Sequence, residues 1–160
     1  MNYIYMSKLD KNKKIGHDTI KGVSESEIQA VENKLNIKFP LAYKEFLLLA
    51  GDYTGNLRIA EGHTSLDMLS KDTVLNNMRN QLNKYGPHIT RPFWVIGEKD
   101  NFDQFYFFYL DENTEDPIVW GVTHASNYND PNIIVPLNMT FSAFINEVID
   151  KSIHFSKHGY

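Results

Sequence analysis

The sequence predicts an α+β domain: a helix hairpin, then a mostly antiparallel β-meander with helices packed on one face, closed by a C-terminal helix. Three observations carry this. Apolar residues recur at helical spacing as far as Tyr85. From Arg91 the pattern changes to short β-branched and aromatic runs separated by polar turns, and after Thr140 the helical period returns. Helices, then strands, then a helix separate this arrangement from the strict alternation of an α/β fold.

The first helix begins at Val23-Ser24-Glu25-Ser26-Glu27-Ile28, where Ser24 and Glu27 form a capping box and Val23 with Ile28 forms a hydrophobic staple. Ile28, Val31 and Leu35 line its apolar face, and Asn36 is placed to close it in the left-handed conformation. Phe39-Pro40 opens a second helix with proline in the first turn, where its missing N–H costs nothing. Tyr43, Phe46, Leu47 and Ala50 face the core and Gly51 ends the helix, so the two should pack as a hairpin. Gly51 to Gly62 holds three glycines and reads as loop with at most a short strand at Leu57 to Ala60. Val74, Leu75, Met78, Leu82 and Tyr85 define a third helix, after an irregular turn at Ser65 to Leu69 and before the Gly86-Pro87 stop. Phe93 to Glu98, Gln104 to Leu110 and Pro117 to Val122 read as strands, with Ile133 to Val135 as an edge strand. Thr140 caps the last helix, which buries Phe141, Phe144, Ile145, Val148 and Ile149. The expected organisation is an N-terminal arm over 1–21, one domain over 22–151 and a tail over 152–160.

Composition sets the bounds. A chain of 160 residues, 42% of them hydrophobic, holds one cored domain at about 150 residues per domain. A net charge of −4 argues against a general nucleic-acid binder, which needs a basic face. Cysteine is absent, which excludes disulfide scaffolds, zinc knuckles and thiol nucleophiles and suits a reducing compartment. The first residues lack the apolar core of a signal peptide, and no run reaches the about 20 apolar residues of a membrane span. The expectation is a cytoplasmic protein without direct nucleic-acid or membrane contact.

Reactive motifs are missing: there is no G-x-S-x-G elbow, no glycine loop with a Walker lysine and no H-E-x-x-H. Six histidines stand at 17, 63, 88, 124, 154 and 158. His63 and Asp67, four apart, come nearest to ligand spacing, but a metal site normally takes three or four protein ligands, so neither a metal nor another cofactor is expected. An enzyme built on His63, Asp67 and His88 around a pocket is the alternative from a different class. His124 and Ser126 lie too close in sequence to face each other as base and nucleophile. Gly51-Asp52-Tyr53-Thr54-Gly55 reads either as an anion cradle or, more simply, as the end of the second helix.

Charge is unevenly placed. Between residues 98 and 116, seven acids (Glu98, Asp100, Asp103, Asp111, Glu112, Glu115 and Asp116) face Lys99 alone. That local charge of −6 leaves the rest of the chain at +2. Acidic hairpin turns have a simple reading, because Asp, Asn and Glu solvate and turn well. The sharper reading is a docking face for a basic partner. The strand Phe105-Tyr106-Phe107-Phe108-Tyr109 is aromatic on both faces. Either the chain covers the second face, for instance with the Met1 to Lys21 arm, or that face stays partly exposed beside Trp94 and Trp120 as a binding patch.

The run Val23-Ser24-x-x-Glu27-Ile28-x-x-Val31-Glu32-x-x-Leu35-x-Ile37-x-Phe39-Pro40-x-x-Tyr43-x-x-Phe46-Leu47-x-x-Ala50-Gly51 resembles the opening of the SMI1/KNR4, or SUKH, superfamily. The later order is also similar: a variable helix, Phe93-Trp94-Val95-Ile96-Gly97-Glu98, an aromatic strand, Pro117-Ile118-Val119-Trp120 and a closing Phe141-x-x-Phe144-Ile145 helix. The resemblance spans about Gly22 to Lys151. It implies a non-enzymatic binding domain, in bacteria largely immunity proteins that neutralise toxins delivered between competing cells, in fungi regulatory interaction proteins. Leu35, Phe39, Pro40, Tyr43, Phe46 and Gly51 are then structural. The expected partner is a cognate toxin, such as a nuclease with a basic cleft, occluded by the seven acids with Trp94 and Trp120 as anchors. A regulatory scaffold is the runner-up, and the chain is expected as a monomer or homodimer.

Overall fold

The computed structural model describes residues 1–123 and 133–159. Among these lie helices α1 (Ser7–Lys11), α2 (Glu25–Leu35), α3 (Leu41–Ala50), α4 (Leu66–Leu69), α5 (Asp72–Lys84) and α6 (Phe141–His158). The strands are β1 (Lys14–Ile15), β2 (Asp18–Thr19), β3 (Phe93–Lys99), β4 (Gln104–Tyr109), β5 (Ile118–Val122) and β6 (Ile134–Thr140). β1 and β2 form a small hairpin, and β3-β4-β5-β6 form an antiparallel meander in chain order. The fold is α+β, as the helix-strand-helix order requires.

Local chemistry accounts for most of the boundaries. The Ser24 Oγ accepts from the Glu27 N–H at 3.2 Å and the Glu27 carboxylate accepts from the Ser24 N–H at 2.6 Å, completing the capping box of α2. Asn36 ends the helix at φ 53°. Pro40 precedes the first helical residue of α3 instead of occupying it, with extended backbone. Gly51 closes α3 in right-handed conformation, so its glycine answers to space: a Cβ there would stand 2.6 Å from the Leu47 carbonyl and 3.0 Å from Val23. The expected strand at Leu57 to Ala60 does not form. Leu57 and Ile59 are buried and Arg58 is exposed, which gives the alternation of a strand, but the Arg58 N–H donates to the Ser152 side chain at 3.0 Å and not to a neighbouring strand.

Three boundaries differ from expectation for tertiary reasons. β6 runs to Thr140, past Pro136 and the left-handed Asn138, because an edge strand needs only one satisfied side. The residues of the N-terminal arm enter the core: Met6, Leu9, Ile15 and Ile20 are buried. The arm is fastened by the buried Glu45 of α3, whose carboxylate accepts the Tyr5 and Met6 N–H groups at 2.9 and 3.2 Å, and by the Lys8–Asp150 ion pair at 2.7 Å. The expected tail is the last part of α6, where Ser152 is buried.

The layers meet at Tyr43. Its ring lies 5.0 to 6.0 Å from those of Phe39, Phe46, Phe108 and Phe141, and its hydroxyl accepts the Trp94 indole N–H at 2.8 Å. Burial holds its hydroxyl well above the usual range for tyrosine ionisation. Tyr106 packs on Phe144 on this helix-facing side. On the other side Phe107 is sealed by Phe93, Phe105 and Tyr109. The aromatic strand is therefore largely covered from within, but not by the arm, which packs on the helical layer. Tyr43→Phe should lower stability by about 1–3 kcal/mol, because it strands the buried Trp94 donor. Urea denaturation should show a lower midpoint at unchanged slope, and a midpoint equal to wild type would remove this hydrogen bond from the core's energetics.

Candidate protein-binding surface

A meander places consecutive turns at opposite ends of its sheet, and this divides the seven acids. The β3–β4 turn carries Asp100 and Asp103, and the β4–β5 connection carries Asp111 to Asp116. The six residues of β4 lie between them, about 20 Å of strand at about 3.3 Å per residue. The acids do not form one docking face.

Glu98 is not a surface residue at all. It is 2% exposed, and its carboxylate accepts the His63 N–H at 2.8 Å and the Phe102 N–H at 3.0 Å and contacts the His63 Nδ1 at 2.6 Å. A buried carboxylate keeps its charge only when such donors surround it. Glu98 thereby ties the Gly62–His63 segment to a strained turn. Asp100, Asn101 and Phe102 have φ of 53°, 56° and 69°, three successive left-handed residues without a glycine, at about 1–2 kcal/mol each. The buried Phe102 side chain and an Asn77–Asn101 hydrogen bond of 2.7 Å hold the turn as well. Trp94 is also withdrawn, 5% exposed and committed to Tyr43.

At the other end most acids are employed in holding the chain. Asp116 caps α6, accepting the Ser142 N–H at 2.9 Å and its hydroxyl at 2.6 Å. Glu115 accepts the Tyr5 hydroxyl at 2.8 Å. Asp111 receives Arg91 in a fork, with N···O distances of 2.7 to 3.2 Å, and the guanidinium holds its carboxyl below the usual carboxylate range. Glu112 has no hydrogen-bonding partner among the described residues.

Beside this turn the side chains form a row. Arg91 stacks on Tyr109, 3.8 Å from ring centre, and Tyr109 meets Trp120 edge-on at 5.5 Å. Arg91 is exposed, Tyr109 and Trp120 are half-buried, and the exposed Pro136 pairs with Trp120 across the β5–β6 ladder. The Trp120 indole N–H is a buried donor with no partner among the described residues. Sequence reasoning found Trp120 but missed Arg91 and Tyr109, because pairing register decides which residues become neighbours. The signal available was an arginine just before β3 and a tyrosine ending β4, which an antiparallel turn brings side by side.

The three residues of the enzyme alternative are each engaged separately. His63 is bound to Glu98, Asp67 is exposed and pairs with Lys71 at 3.3 Å, and His88 lines a separate cleft between α5 and β3. Among the described residues no three His, Asp or Glu side chains cluster as metal ligands. His124 and Ser126 lie outside the described residues. Nor is Gly51 to Gly55 an anion cradle: the Gly51 N–H donates to the Leu47 carbonyl, and those of Asp52 and Tyr53 to the Lys21 carbonyl. Glu98→Ala should cost about 2–4 kcal/mol, since it strands buried donors. Hydrogen exchange should show protection lost selectively at the His63 and Phe102 amides; unchanged exchange there would deny Glu98 its role as strut.

Comparison with known proteins agrees with this architecture. The model of the SMI1 / KNR4 family (SUKH-1) matches residues 22–147, from the entry to α2 into the middle of α6. No curated protein matches the chain. With most of its length matched, including the helix hairpin, the meander and the start of the closing helix, the chain belongs to the SMI1/KNR4 (SUKH-1) family.

Proposed function

We propose that this chain is a non-enzymatic protein-binding module, an immunity protein that neutralises a cognate bacterial toxin by occluding it in the cytoplasm. Family membership is compatible with that role. The observation that carries the reading is the Arg91–Tyr109–Trp120 row beside Glu112. Trp, Tyr and Arg are the side chains that dominate binding energy at protein interfaces: the rings bury much area at low entropy cost, and the guanidinium stacks and forms forked hydrogen bonds. The neighbouring acid steers a basic partner surface, such as a nuclease cleft, into register. Asp100 and Asp103 at the far end of the sheet fall outside this footprint. No helix among the described residues is long and apolar enough to cross a membrane.

The test is coexpression with the C-terminal domain encoded by the adjoining upstream reading frame, reading both growth and complex formation. The wild-type chain should protect the cells and copurify. Trp120→Ala should weaken the complex at least about tenfold, equivalent to about 1.4 kcal/mol. Glu112→Lys should slow association and flatten its salt dependence. Charge reversal at Asp100 and Asp103 should leave both unchanged. If that reversal abolishes binding while Trp120→Ala does not, the footprint is wrong; if neither protection nor complex appears, the immunity reading falls.

A further inference from the structure

The last two turns of α6 carry a pair of histidines that the function proposed above does not use. His154 and His158 stand four residues apart, one above the other on the helix. Both are exposed, and their ring centres are 4.7 Å apart with planes inclined at 43°. We infer that His154 and His158 form a two-ligand site for a divalent first-row transition-metal ion, of the class of Cu²⁺, Ni²⁺ and Zn²⁺.

The separation fits the chemistry. An imidazole nitrogen binds such an ion at about 2.0–2.1 Å, which puts the ring centre roughly 3.2 Å from it; two imidazoles in neighbouring positions, about 90–100° apart, then have centres roughly 4.5–4.9 Å apart. The observed 4.7 Å lies in that window with no movement of the backbone. The helix is fixed where the pair needs it. The Gly159 N–H closes the last turn on the Phe155 carbonyl at 2.8 Å, and the Ser152 side chain joins α6 to the Arg58 backbone at 3.0 Å. The carbonyl end of a helix favours a cation. Lys157 opposes it from the same turn, whereas Lys151 is neutralised by Glu147 at 2.6 Å. Among the described residues no third His, Asp or Glu completes the set, so the remaining positions are open to water or to a donor from another molecule. Such a site exchanges its ion readily, and affinity rises towards Cu²⁺.

The experiment is calorimetric titration of the untagged full-length chain with CuCl₂, NiCl₂ and ZnCl₂ in a weakly coordinating buffer. Wild type should take up one equivalent, with Cu²⁺ tightest. His154→Ala and His158→Ala should each weaken binding at least tenfold, and His17→Ala should not change it. Both positions are exposed, so circular dichroism should show every variant folded as wild type. Zn²⁺ should raise the melting temperature of wild type and not of His158→Ala. Absence of binding to wild type, or binding unchanged in His154→Ala and in His158→Ala, overturns the inference. These outcomes do not bear on toxin neutralisation, which is read by growth and complex formation.

Discussion

Tyr43 must bury a whole aromatic ring and still satisfy its hydroxyl, and the layers of this protein are arranged around the place where both happen. The ring fills the junction of α3, the sheet and α6, against Phe46, Phe108 and Phe141. The oxygen takes the Trp94 donor. In a medium of low dielectric an unpaired indole N–H or phenol is costly, so this one contact sets the distance between α3 and β3 and with it the depth of the core. Phe39, at the step between α2 and α3, packs edge-on against both Tyr43 and Trp94 and carries the same constraint into the helix hairpin.

Around that core, carboxylates do the work of fastening irregular backbone. Glu32 accepts the Phe39 N–H at 2.7 Å and closes the α2–α3 connection. Glu45 holds the N-terminal segment, Glu98 holds the Gly62–His63 segment and the left-handed turn, and Asp116 caps α6. Each places a charged acceptor on backbone donors that no ladder or helix satisfies, and such bonds are about twice as strong as neutral ones. Four of the chain's twenty acidic residues thus serve as scaffolding. Near the β4–β5 turn, where Asp111 and Glu115 are exposed but paired, Glu112 stands without a partner among the described residues beside an arginine–tyrosine–tryptophan row, the small footprint proposed for a basic, shape-complementary partner.

The helix hairpin was legible from residues alone because its signals are local: the Ser24–Glu27 capping box, Asn36 at a left-handed end, and apolar residues at helical spacing. Strands β3, β4 and β5 were legible for the same reason, whereas β1, β2 and the length of β6 were not. The extent of α6 was not, since the pattern Phe141 to Ile149 weakens where the helix leaves the core, and with the shorter helix the His154–His158 spacing went unread. The N-terminal segment looked like an arm because six of its first fourteen residues are lysines or tyrosines interspersed with apolar ones in no clear period; its anchor is Glu45, forty residues away from Tyr5.

The sequence by itself determined the α+β class, the helix hairpin, strands β3 to β5 and the start of the closing helix, and it carries none of the reactive motifs sought, all of which depend on residue type at short spacing. Only the tertiary structure decided which acids face water. Seven carboxylates close in sequence read as one patch, but a meander sends successive turns to opposite ends of the sheet, and unpaired backbone donors draw the nearest carboxylates inward. Exposure is a property of what packs against a side chain, and long-range contacts set that.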